Sequence, residues 1–172
     1  MPRTKATAKR SPALNNDKSL RDHLVYVLKG GGAHASFDDV FADFPAELRG
    51  KKPAGFPHSA WMLLEHLRIA QWDILDFSVN PKYKSMDWPS GYWAQTEAPP
   101  DAAAWNNSIE QFREDNGKVQ KLVSNPATDL YAKLPWGNGQ TILREALLVA
   151  DHNAYHLAQV VDVRRLLGCW KE

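Results

Sequence analysis

The segment Asp151-His152-Asn153-Ala154-Tyr155-His156 carries two histidines four residues apart. On a helix that spacing puts both imidazoles on one face, with Cβ atoms roughly 5–6 Å apart. Imidazole nitrogens bind transition metals at about 2.0–2.1 Å. Two such side chains therefore converge on one ion without bending the backbone. Residues one or two apart diverge and cannot do this.

A pair alone is weak evidence, because histidines at this spacing also arise by chance. The surrounding face strengthens it. Leu148 and Val149 lie one turn before His152, and Val160 and Val163 follow His156. His66 has a comparable setting among Met62, Ile69 and Ala70. Three imidazoles on inward helix faces are costly without polar partners. A shared divalent ion satisfies all three; separate hydrogen-bonded core histidines remain the alternative on spacing alone. Three imidazoles form a neutral set with open coordination positions. That favours zinc, nickel, copper or ferrous iron over magnesium or calcium. Three protein ligands plus an exchangeable position is also the pattern of a reactive zinc site.

A ligating imidazole needs its second nitrogen held. Asp73 lies seven residues from His66, Glu145 seven from His152, and Gln159 three from His156. Asp73 and Glu145 are candidate general bases, and His34, after a triple glycine, is a third candidate at the mouth of the site. Asp151 points about 100° away from His152 and is not assigned to the metal. His58 sits where a helix begins, and His23 lies on the polar side of the first helix. Cys169 has no adjacent histidine and reads as packing rather than as a nucleophile. The chain holds no P-loop, nucleophile elbow, dinucleotide fingerprint or HExxH.

The elements that must position these residues are helices. Ser19-Leu20-Arg21-Asp22 reads as a capping box opening a first helix, which Gly30-Gly31-Gly32 ends. A short helix is expected from Ser36 to Phe44, before Pro45. Ser59 caps a second long helix that runs to about Ser78, with Leu63, Leu67, Ala70, Ile74 and Phe77 as its apolar stripe. Residues 80–100 hold four prolines with Tyr83, Trp88, Tyr92 and Trp93. So long a loop reads as an aromatic cover or a lid. Asp101 caps a third long helix with Trp105, Ile109, Phe112, Val119 and Val123 inward. Thr141 caps the fourth, which runs to Leu167 with Gly168 as its stop. No stretch alternates with period two long enough for a strand. The pattern is an all-α four-helix bundle with a short extra helix, the class in which metal sites sit between facing helices.

The chain has 172 residues and a formal net charge of +1, so no global field selects nucleic acid or an anionic membrane. Residues 1–18 are basic and Pro-interrupted, and are expected to be a disordered tail before a bundle domain spanning 19–172. That tail carries +4, which leaves about −3 on the rest and argues against nucleic acid as partner. A single cysteine forbids an intramolecular disulfide. No run reaches the roughly 20 apolar residues that span a bilayer. A cytoplasmic protein is expected.

Together, Leu64-Glu65-His66-Leu67, His152-Asn153-Ala154-Tyr155-His156 and Arg164-Arg165-Leu166-Leu167-Gly168 make residues 19–170 resemble the DinB-like (YfiT-type) four-helix-bundle superfamily. The resemblance implies a metal site built by His66, His152 and His156, most often zinc or nickel, and a homodimer. It also implies activities such as low-molecular-weight thiol transfer, in which the metal activates a cofactor thiol. The glycine-rich break after the first helix and the aromatic loop at 80–100 depart from the simplest family pattern. The expected function is thus a metal-dependent transferase or hydrolase acting on a small molecule, with a low-molecular-weight thiol as a second cofactor. The competing expectation is a non-catalytic metal- or small-molecule-binding protein whose ion is structural.

Overall fold

The computed structural model describes residues 12–30 and 32–171. Residues 1–11, most of the expected basic tail, lie outside them. Four long helices form the bundle: α1 (Pro12–Lys29), α3 (Ala60–Val79), α4 (Ala102–Ser124) and α5 (Ile142–Leu166). The short α2 (Phe37–Phe41) sits between α1 and α3. Among the described residues there is no strand, and only Lys133 and Thr141 form an isolated bridge. No described helix is long and apolar enough to cross a membrane.

Three of the expected caps close as capping chemistry requires. Ser59 Oγ accepts from Met62 N–H at 3.2 Å, Asp101 Oδ1 from Ala104 N–H at 2.7 Å, and Thr141 Oγ1 from Arg144 N–H at 3.2 Å. Ser36 and Asp39 form the reciprocal box that opens α2. That helix stops at Phe41, three residues short of the expected end. Ala42 leaves helical backbone and Asp43 takes a left-handed φ of 48°. Gly168 takes a φ of 72° just after the end of α5, as a glycine stop should.

The start of α1 corrects the sequence reading. The helix begins at Pro12, so residues 12–18 of the expected tail are helical and Ser19 is interior. Proline suits a first helical position, where the backbone N–H has no partner to lose. Asp22, expected to reach back to Ser19, instead pairs with Lys18 four residues earlier.

Two buried arginines fasten the helices end to side. Arg21 on α1 donates to the carbonyls of Val123, Asn125 and Thr128, each at 2.8 Å, where α4 ends. Arg164 on α5 donates to those of Val40 and Ala42 at 2.7 and 2.8 Å, where α2 ends, and to that of Cys169 at 2.9 Å, just past the end of α5. Each satisfies terminal carbonyls that no helix bond can reach, and each places a cation at the negative end of a helix dipole.

The apolar core is split into two clusters. One gathers Phe37, Val40, Leu63, Trp105, Phe112, Leu157 and Val160; the other Leu24, Leu75, Val119, Ile142 and Val149. In the sequence of each helix a polar residue separates them: Gln71 on α3, Asn116 on α4 and Asn153 on α5, all buried. This amide layer crosses the bundle beside the histidines.

Candidate metal centre

α3 and α5 pack against each other and bring their inward histidines together. His66 Nε2 stands 3.1 Å from His156 Nε2 and 3.1 Å from His152 Nε2. The three rings offer ligand atoms that all lie within 4.8 Å of one another. Nitrogens bound at about 2.05 Å with tetrahedral angles are roughly 3.3 Å apart. The two spacings to His66 are already those of a ligand set.

The protonation pattern makes the same point. His66 Nδ1 lies 2.8 Å from the Tyr92 carbonyl oxygen, which can only accept, so Nδ1 carries the proton. His156 Nδ1 donates likewise to Gln159 Oε1 at 2.7 Å. In neutral rings both Nε2 atoms are then bare lone pairs, facing each other across 3.1 Å. Two acceptors at that distance repel unless a proton or a cation lies between them. A proton is disfavoured. Burial lowers the His66 pKa against the opposing pull of the Tyr92 carbonyl. Burial first, and then the charges of His156 and His66, bring His152 to about 4, although the Asn153 amide favours its charged form. Burial also takes His156 to about 4, against the Gln159 hydrogen bond. The donor set therefore fits a divalent ion, and the three histidines could hold one.

The loop between α3 and α4 covers the site. The Trp93 indole stacks on the His66 imidazole at 4.1 Å and 7°, and on its other face carries His58 at 4.2 Å and 15°. Asp73 anchors this loop: its carboxylate accepts from the phenols of Tyr83 at 3.0 Å and Tyr92 at 2.8 Å. Burial and the adjacent Asp73 raise the pKa of both phenols, so they remain donors.

Gln159 thus holds His156 as its spacing implied. Asp73 reaches His66 only through Tyr92, whose phenol it binds and whose carbonyl holds the ring. Glu145 is buried in the first turn of α5, paired with Arg144 at 2.8 Å, and makes no hydrogen bond to the triad. His34 is exposed, donates Nδ1–H to the Ala35 carbonyl at 2.9 Å, and borders a cavity of about 230 Å³ with Val27, Leu28, Phe37, Phe112 and Asn153. Neither Glu145 nor His34 is brought to the three rings. Cys169 is half-buried, and its carbonyl accepts from Arg164.

Sequence reasoning did not single out Tyr92, Trp93 or His58 for the site. The aromatic density of residues 80–100 was the available signal, but which ring meets His66 depends on the path of the loop. Gln71 and Asn153 carried a fainter signal, as amides at inward positions.

A family model described as the DinB superfamily matches residues 32–160. The matched stretch includes His66, His152 and His156 and begins after α1. No curated protein and no solved structure gives a match.

Proposed function

We propose, from the premise that this chain belongs to the DinB superfamily, that His66, His152 and His156 hold one divalent transition-metal ion and serve a metal-dependent reaction on a small molecule. The observation that carries this reading is the pair of bare Nε2 atoms facing each other at 3.1 Å. Zinc or nickel suits three neutral imidazoles, and the reaction is of the thiol-dependent transferase or hydrolase kind. When bound, such an ion lowers the pKa of a water or thiol placed in its open position.

The chain's own residues have definite parts. Tyr92 and Gln159 hold the Nδ1–H groups of two ligands and so aim their lone pairs inward. Trp93 shuts water from one face of His66. Asp73 fixes the loop that carries Tyr92 and Trp93.

A second reading is favoured by the same cover. His66 and His156 are 6% and 8% exposed, which suits an ion that fastens α3 to α5 without turning over substrate. Chelation separates the two: a large fall in melting temperature with no activity to lose supports the fastener. Tyr26, Val27 and Leu147 expose apolar surface along one groove. That groove is our proposed contact for a homodimer, and sedimentation checks it.

The test is metal-free protein titrated with zinc or nickel, followed by a generic thiol-transfer assay. We expect one ion per chain and a rate that the triple His→Ala variant lacks. Equal binding by that variant overturns the metal site. Equal rates overturn the enzyme.

A further inference from the structure

The amide layer has a fixed polarity that ends at the metal site. It starts at a main-chain carbonyl. Phe112 O on α4 can only accept, and the Gln71 side chain lies 2.8 Å from it, so the Gln71 atom there is the NH₂ group. The other end of Gln71 is therefore its oxygen. That oxygen accepts from Asn153 at 2.9 Å and from Asn116 at 3.1 Å, so both asparagines present NH₂ groups to it. The Asn153 oxygen must then face elsewhere. It is buried and has no hydrogen-bond partner among the described residues. On the preceding residue, His152 Nδ1 is also buried and has no partner among them.

These two orphans are complementary. His66 and His156 each have an acceptor for Nδ1–H; among the described residues His152 is bonded to none. For His152 to present a bare Nε2 to the ion, its Nδ1 must carry the proton, and a buried N–H needs an acceptor.

We propose that Asn153 and Gln71 are positioning residues of the metal centre: the Asn153 oxygen takes the His152 Nδ1–H, and Gln71, itself oriented by the Phe112 carbonyl, holds Asn153 in the flip that makes this possible. The proposal rests on the three-histidine reading above. It makes a backbone group on α4, a helix that supplies no ligand, responsible for the tautomer of a ligand on α5. Asn116 shares the Gln71 oxygen, but its own oxygen turns to Gln120 along α4. It is thus an internal control for burial and stability.

The experiment has two arms. In zinc-loaded wild-type protein labelled with ¹⁵N-histidine, NMR reads which His152 nitrogen binds the ion and whether the other keeps its proton. We expect zinc on Nε2 and a slowly exchanging Nδ1–H; zinc on Nδ1, or an Nδ1–H that exchanges freely with solvent, overturns the proposal. In the second arm, zinc affinity is measured by competition with a chromophoric chelator for wild type, Asn153→Leu, Gln71→Met and Asn116→Leu, with melting temperatures alongside. We expect the first two variants to bind zinc about 10–100-fold more weakly, and Asn116→Leu to lose stability but keep wild-type affinity. Equal loss of affinity in all three variants shows a merely structural layer and overturns the proposal. A wild type that binds no zinc defeats the three-histidine reading instead. The tautomer arm still decides this proposal if a variant fails to fold.

Discussion

The indole of Trp93 lies flat on the imidazole of His66, 4.1 Å away and 7° from parallel. This contact joins the loop after α3 to the ring at the centre of the triad. It makes an optical report on the site available within the chain.

Nickel bound by the triad should quench part of the tryptophan emission. Trp93→Phe should remove most of that change, although six tryptophans remain of the seven. Fluorescence titration at equal protein concentration checks this. Full quenching in the variant would place the ion away from His66.

Ion binding should also stabilise the fold. At a free concentration a hundred times Kd, mass action contributes about 2.7 kcal/mol, or several degrees in melting temperature for a chain of this size. Replacing any one of His66, His152 or His156 by Ala should abolish the shift at the same zinc concentration. Differential scanning calorimetry with and without zinc reads it. An undiminished shift in a single variant removes that residue from the site.

The lowered histidine pKa values give a signed pH dependence. His152 and His156 titrate near 4 when folded, against 6.5 for the ordinary side chain. Between those values the unfolded chain binds protons that the folded chain does not, so stability rises with pH. The metal-free protein should keep this contribution above pH about 6.5 and lose it as the pH falls toward 4. Urea unfolding at several pH values should show a steeper acid loss in wild type than in a His152→Gln, His156→Gln double variant. Parallel curves would contradict it. By the same pKa values, zinc should still bind at pH 5.5, where an ordinary histidine is mostly protonated.

Arg164→Met should destabilise the protein by about 2–4 kcal/mol, because it leaves the carbonyls of Val40, Ala42 and Cys169 without their donor. Equilibrium unfolding in urea measures it. A change under half a kcal/mol would show that water replaces the guanidinium at no cost.

The bundle and the triad were legible because both follow from helical periodicity. His152 and His156 share a face by spacing alone, and the apolar neighbours of His66 turn it inward. Gln159 was legible for the same reason, being one turn from His156. Glu145 was not. Seven residues along a helix is about 10.5 Å, too far for a carboxylate in the first turn to turn back to His152, and Arg144 beside it claims the charge. Ser19 misled because an interior serine followed by an acid looks, in sequence, like a capping box. The loop from 80 to 100 showed its aromatic content but not its path, which depends on Asp73 binding Tyr83 and Tyr92 across the fold. The polarity of the amide layer was illegible, since it is set by one carbonyl on another helix.

The most direct test of the metal centre is X-ray absorption at the zinc edge, on tag-free protein loaded with one zinc per chain. We expect scattering from three imidazole nitrogens at about 2.0–2.1 Å, reduced by one ring in the His66→Ala variant. A shell of oxygen alone, or a spectrum unchanged when His66 is removed, would contradict a site shared between α3 and α5.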